Sequence, residues 1–394
     1  MSGRARAEYD PDDVKPHASV RLRRRRVPFA TRTLLHDRVR LLISLGGIGF
    51  AMLLVLLLDG IRVGTVAKST TYIDHVGADV FVAREGVTNM ALAASVLPEE
   101  LVQEVAAVDG VQEATGILRI PVIVSAGEKK RPATLIGYEV GAPLGGPWQI
   151  EKGRLVGEDD EAVVDEALAG ELDLDLGDPL ELSGTDFTVV GFSGQTANIA
   201  GKHVFLAQPA VRRLLGAGSI VSFVLARIEP GADDERVVEE INRDVPGVTA
   251  TTRQELSRND RDLLGSLFTA PINVMSTVGL LVGLAIIGLT MYTTTSERLR
   301  DFGVLKALGA GHWFLLRTVF TQAIVLGLLG FIVGILAAQL AGPFIVRLVP
   351  DIGVALRLNA ALQTLAAALA MSLLGAVLPV VRIIRVDPLL VFRS

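Results

Sequence analysis

The sequence contains no cysteine. That excludes disulfides, thiolate zinc sites and a cysteine nucleophile together. Aromatic residues are also scarce, at 5%, and the five histidines (His17, His36, His75, His203 and His312) are scattered, with no His-Glu-x-x-His helix to hold a metal. No serine lies in Gly-x-Ser-x-Gly. A phosphate-binding loop would need Gly-x-x-x-x-Gly-Lys-Ser/Thr, yet the sole Gly-Lys pair, Gly201-Lys202, is followed by His203 and has Thr196 in place of the first glycine. The formal net charge of -5 gives a nucleic-acid partner no electrostatic support.

What is present is segregated. Half of the chain is hydrophobic while 21% is charged, and the two classes occupy separate blocks. Four uncharged runs lie within Leu41–Leu58, Leu263–Ser296, Thr318–Val346 and Leu358–Val381. About 20 apolar residues cross a bilayer, and one charge at its centre costs roughly 2.5–3.5 kcal/mol. The pattern predicts spans at 41–59 (TM1), 270–293 (TM2), 318–346 (TM3) and 358–381 (TM4). An arginine-rich start before an apolar run also suits a signal peptide, but Asp59-Gly60-Ile61-Arg62 offers no small-x-small cleavage site, so the first run is expected to remain as an anchor.

Basic residues set the expected orientation. Arg23 to Arg26 precede the first run, Arg298, Arg300, Lys306 and Arg317 separate the second and third, and Arg382, Arg385 and Arg393 follow the fourth. Fewer flank the other ends: Arg62, Lys68, Arg253, Arg258, Arg261, Arg347 and Arg357. Both termini are therefore expected in the cytoplasm of a multi-pass inner (cytoplasmic) membrane protein. Residues 1–20 read as a disordered tail and 21–40 as a basic amphipathic helix on anionic lipid, with a solvated basic linker as the alternative. Residues 294–317 form a cytoplasmic segment, 347–357 an external loop and 382–394 a cytoplasmic tail.

The block 60–266 is then extracytoplasmic. Strand-like stretches at Asp79–Ala83, Ile117–Val124, Ala162–Val164, Phe187–Phe192 and Val221–Ile228 alternate with helical ones at Pro98–Val108 and Asp233–Arg243. Both helices run into a Gly-Val pair, Gly110-Val111 and Gly247-Val248. This reads as two related lobes of one α+β domain, or as chance similarity of two short helices. His75 and His203 share this side and are expected at the surface. The fold expected is thus a four-helix integral membrane protein with an α+β extracytoplasmic domain between helices 1 and 2.

Gly279 and Gly283 in the second run, and Gly330 and Gly334 in the third, form Gly-x-x-x-Gly pairs that permit close helix approach in lipid. One pair or the other is expected to carry dimer packing, with glycine's ordinary frequency in membrane helices as the alternative. Between the second and third runs, Glu297 and Asp301 are four apart and share a helical face, while Gly309 suits a helix stop.

The run Glu297-Arg298-Leu299-Arg300-Asp301-Phe302-Gly303-Val304-Leu305-Lys306-Ala307-Leu308-Gly309-Ala310 resembles the signature of FtsX/MacB-like (type VII) ABC transporter permeases. A second likeness lies at Leu378-Pro379 through Arg382, Arg385 and Asp387-Pro388, although Val380 and Leu389 to Arg393 depart from the family pattern. Glu151–Arg154, Glu161–Glu166 and Phe187–Gly191 resemble its ectodomain. The resemblance implies a homodimeric, non-catalytic permease in which Glu297, Arg298, Asp301, Gly303, Lys306 and Gly309 contact a separate ABC ATP-binding subunit. ATP and magnesium would belong to that subunit, and this chain would bind no cofactor. The resemblance further implies mechanotransmission, used either to export an amphiphile, peptide, lipid or haem or to regulate a cell-wall hydrolase. It leaves room for a periplasmic or cell-surface partner and for membrane lipid. An ATPase-independent receptor would leave the 297–309 motif unexplained.

Overall fold

The computed structural model describes residues 38–196, 201–216, 218–307, 311–349 and 352–384. The expected tail at 1–20, most of the basic helix at 21–40, Gly309 and residues 385–394 lie outside the described residues.

The first helix, α1 (Arg38–Ser69), is 32 residues long. It does not stop at Asp59, where the apolar run ends. Arg62 pairs with Asp59 one turn back at 2.6 Å, and the helix continues as a polar stalk. A short α2 (Thr71–His75) then turns Tyr72 and Ile73 into the domain core.

In chain order the domain comprises β1 (Val80–Arg84), β2 (Leu97–Pro98), α3 (Leu101–Ala106), β3 (Val111–Ala126), β4 (Lys129–Tyr138), β5 (Ile150–Gly153), β6 (Glu161–Asp165), α4 (Glu166–Leu172), β7 (Pro179–Leu182) and β8 (Thr185–Ser193). It continues through β9 (His203–Ala207), α5 (Gln208–Leu215), β10 (Ile220–Val221), β11 (Phe223–Ile228), α6 (Asp234–Asp244) and β12 (Val248–Thr252). The main sheet runs β12-β1-β11-β3-β4-β9-β6-β8-β5, with β7 bridging β3 and β8, while β2 and β10 pair separately.

The 16-residue β3 divides the domain. Its first half, Val111–Ile117, pairs with β11, and its second half, Leu118–Ala126, pairs with β4. On the first side, β1-α3-β3 and β11-α6-β12 interleave in the order β12-β1-β11-β3, a split β-α-β arrangement. Val105 of α3 and Val237, Val238 and Ile241 of α6 share one cluster with Val80, Val82, Val224 and Ala250. The two Gly-Val pairs thus mark the halves of a single lobe, which corrects the reading of two lobes. Gly110 and Gly247 have φ of 85° and 77°, the left-handed conformation that glycine tolerates. On the second side, β3, β4, β9, β6, β8 and β7 pair in a closed ring. Leu118, Leu135, Val164, Leu180, Val189, Val204 and Leu206 are buried in its cluster.

From β12 the chain passes without a loop into α7 (Arg253–Glu297), a 45-residue helix whose N-cap Thr252 accepts the Glu255 amide at 3.2 Å. The short α8 (Leu299–Ala307) follows, then α9 (His312–Leu348), α10 (Leu358–Gly375) and α11 (Val377–Ile384). Among the described residues four helical stretches, Leu41–Ser69, Arg253–Glu297, Trp313–Leu348 and Leu358–Arg382, are long and apolar enough to cross a membrane. Ile48, Met52, Ile287, Met291, Val319, Leu326, Ala368 and Met371 share a core between them. The second run is thus the continuation of a helix that begins inside the domain.

Candidate coupling face and its link to the domain

The chemistry of α8 follows from which residues it turns inward. Phe302 is buried in the bundle core and Gly303 is buried beside it. Arg300, Asp301 and Val304 are exposed, as is Glu297 at the end of α7. Lys306 is half-buried and donates to the Ile384 carbonyl at 3.3 Å, tying α8 to α11. Arg382 of α11 hydrogen-bonds the Tyr292 hydroxyl and lies 4.7 Å from that ring's centroid, a cation–π contact that anchors α11 to α7. Of the residues expected to meet a partner, Glu297 and Asp301 face outward, Arg298 is half-buried and Gly303 and Lys306 serve the chain's own packing. Gly309 lies outside the described residues. Trp313, 78% exposed, and Phe314 open α9 beside this face. The sequence reading passed over them, although two adjacent aromatics at the start of an apolar run were the available signal.

The glycine pairs also face inward. A β-carbon on Gly330 would overlap Ile48, and one on Gly334 would press on Met52 and the Gly49 carbonyl. Gly283 sits against Ala51 and Met371, with Gly279 near Ala51 and Val55. These glycines let α7 and α9 approach α1 of the same chain, so that surface is already occupied and not open to a second copy.

At the other end of α7, a polar clasp holds the helix to the domain. Asp74 accepts from Ser257 at 2.7 Å and from Arg261 at 2.8 Å, while Arg261 also donates to Thr70. Buried Asp260 accepts the amides of Met90 and Ala91 at 2.8 and 3.2 Å. Beside the clasp runs a chain of ring contacts. His75 stacks on Trp148 at 5.4 Å, Trp148 meets Tyr72 at 6.2 Å, and Tyr72 stacks on His203 at 5.6 Å.

His203 is buried, not at the surface as expected, because β9 is an interior strand of the sheet. Burial, reinforced by the Arg119 guanidinium, pulls its pKa down to about 4, against a hydrogen bond to the Thr196 carbonyl that opposes the shift. Its neighbour in the failed phosphate-loop match, Lys202, pairs with Glu171 at 2.6 Å. In the barrel, the Arg154 guanidinium and the Gly157 and Glu158 amides hold the Glu161 carboxyl down at about 2. Among the described residues no cluster of His, Asp and Glu is placed to hold a metal.

Comparison with known proteins places this geometry. Residues 41–244 match the MacB-like periplasmic core domain, and residues 273–388 match the FtsX-like permease C-terminal domain. The chain belongs to the FtsX/MacB-like family of ABC transporter permeases. An uncharacterised ABC transporter permease of Mycobacterium tuberculosis (strain ATCC 25618 / H37Rv) is 27% identical over 362 residues, covering 91% of this chain and 97% of that one. The pyoverdine export ATP-binding/permease protein PvdT of Pseudomonas entomophila is 27% identical over 275 residues, 63% of this chain and 41% of that protein. The periplasmic region of MacB from Actinobacillus actinomycetemcomitans aligns with a TM-score of 0.37 and 14% identity, over 48% of this chain and 95% of that one. Family membership and four apolar helices make the chain a membrane protein, the permease subunit of an ABC transporter.

Proposed function

We propose that this permease exports a substrate of the amphiphile, peptide, lipid or haem class by relaying motion between a separate ATP-binding subunit and its α+β domain. The observation that carries the reading is the continuity of α7. Leu256, Ser257 and Asp260 at its start are buried in the domain, and its last residue, Glu297, is joined to α8 through the single turn residue Arg298. A displacement of α8 by a nucleotide-driven partner would therefore reach the domain along one helix, whose backbone hydrogen bonding is interrupted where Pro271 lacks an N–H. The exposure of Asp301, with exposed Arg300 and Val304 beside it, supports its role in meeting that partner. ATP and magnesium are bound by the partner, the permease works as a homodimer in the inner membrane, and both termini are cytoplasmic. The export direction is supported by the relative named for pyoverdine export.

The test is Asp301→Lys in the full-length chain, co-expressed with its ATP-binding partner. Charge reversal at a hydrogen-bonded interface should cost association about 2–5 kcal/mol. Membrane insertion and, in a Trp313→Phe background, Trp148 fluorescence should stay unchanged, while the partner is lost on purification or remains bound without stimulated ATP turnover. Wild-type association and wild-type stimulation together would make α8 an ordinary connector.

A further inference from the structure

Immediately membrane-ward of the clasp, α1 and α7 diverge around a cleft of about 490 Å³. Three arginines from three separate parts of the chain line it: Arg62, Arg261 and Arg357. One carboxylate, that of Asp262, lies among the lining residues. Val63 and Val66 form an apolar wall, and Ser266 and Thr269, whose hydroxyls donate back to the Leu263 and Gly265 carbonyls, complete the lining. Arg62 and Arg261 are each held by a carboxylate, Asp59 and Asp74, at 2.6 and 2.8 Å. Arg357 is exposed and has no ion pair among the described residues.

The position of the cleft relative to the apolar runs identifies its environment. Arg62 follows Leu58, the end of the first run, by about 6 Å of helix rise. Arg357 precedes Leu358, the start of the fourth, and Arg261 lies two residues before Leu263. The headgroup layer outside a bilayer's hydrocarbon core is about 5–8 Å thick on each side. Arg62 and Arg357 therefore sit at the depth of lipid phosphates, with Arg261 of α7 beside them on the domain side. Arg357 is also the N-cap of the 18-residue α10, whose first amides no side chain caps, so the positive end of that helix adds to the field.

We propose that this cleft is a binding site for the phosphate of an anionic phospholipid, with Arg357 as its uncommitted ligand. The site belongs to a single protomer and does not depend on what the transporter moves. A planar guanidinium matches a phosphate's paired oxygens. Zwitterionic lipid carries the same phosphate, but its ammonium group cancels the charge.

The experiment uses the full-length chain in detergent and measures binding of phosphatidylglycerol and phosphatidylcholine, each with a fluorescent acyl chain. A basic residue near an anionic membrane surface contributes about fivefold in affinity. Phosphatidylglycerol should bind at least fivefold more tightly than phosphatidylcholine. Arg357→Gln should remove about fivefold of its affinity and leave phosphatidylcholine unchanged, while Arg357→Lys should retain most of it. Arg84→Gln, at an exposed arginine of β1 away from the cleft, controls for net charge and should have no effect. Equal affinity for both lipids, an Arg357→Gln variant matching wild type, or an equal loss in Arg84→Gln would overturn the proposal. Displacement of the labelled lipid by equimolar inorganic phosphate would make the ligand a free anion and overturn the lipid assignment.

Discussion

Gly64 of α1 and Gly353 meet main chain to main chain, so closely that a β-carbon on either would overlap the other's backbone. The Thr65 hydroxyl donates to the Gly353 carbonyl at 3.4 Å and accepts from its amide at 3.3 Å, and the Ala355 amide donates to the Gly60 carbonyl at 2.9 Å. Residues 352–357 are thereby strapped along a strip of α1 that two glycines leave bare, and the strap delivers Arg357 to the arginine cleft. Overpacking such a contact costs about 1–3 kcal/mol. Gly64→Val should therefore lower the detergent-state thermal midpoint clearly. Gly46→Ala, where a β-carbon meets nothing within 4 Å, should be neutral or stabilising. Equal effects of the two would show that the strap does not need the bare strip.

The Asp260 carboxylate ties α7 to the segment after β1 by two backbone amides, and both would lose their acceptor in Asp260→Ala. Leaving buried donors unpaired costs about 1–3 kcal/mol. The variant should unfold more readily and be cut faster by protease between residues 86 and 96. Asp260→Asn, which keeps one acceptor oxygen, should fall between the two. Unchanged cleavage in Asp260→Ala would mean that this segment is held by other contacts.

The buried imidazole of His203 predicts a pH dependence of defined sign. Its folded pKa of about 4 lies below the ordinary value near 6.5, so between these limits the unfolded chain binds a proton that the folded chain refuses. Stability is then fully present above about pH 6.5 and is lost as the pH falls toward 4, with a slope of at most about 1.4 kcal/mol per pH unit. Glu161, held at about 2, adds its own loss only below the ordinary carboxylate value, so the two windows barely overlap. In a Trp313→Phe background, urea unfolding followed by Trp148 fluorescence should show a lower midpoint at pH 5.5 than at pH 7.5. His203→Phe, which keeps a ring against Tyr72 and Phe205, should flatten that difference. A pH difference that persists in His203→Phe would assign it to other groups.

The absence of native cysteine makes single-cysteine labelling unambiguous. Glu128, exposed at the tip of the β3–β4 hairpin, and Asp301, exposed on α8, lie on opposite sides of the four apolar helices in the proposed arrangement. A membrane-impermeant maleimide should label Glu128→Cys in intact cells and Asp301→Cys only after permeabilisation. The reverse pattern would invert the topology.

Sequence by itself determined the features that depend on local composition. Hydropathy sums along a helix, so four uncharged runs were sufficient to find four apolar helices. β-branched runs likewise located β1, β6, β8 and β11, and the motif around Asp301 carried the family. Tertiary structure alone decided which surfaces meet. Gly330 and Gly334 were legible as close-approach residues, but only the packed bundle shows that they face Ile48 and Met52 of the same chain. The division of β3 between two partners was invisible because strand pairing is set by long-range register, which hydrophobic alternation leaves open. His203 read as a surface histidine because burial depends on the strands on either side of β9, not on its sequence neighbours. Arg62, Arg261 and Arg357 lie far apart along the chain. They converge because a strap crosses α1 at Gly64, where the lack of a side chain lets one backbone lie against another.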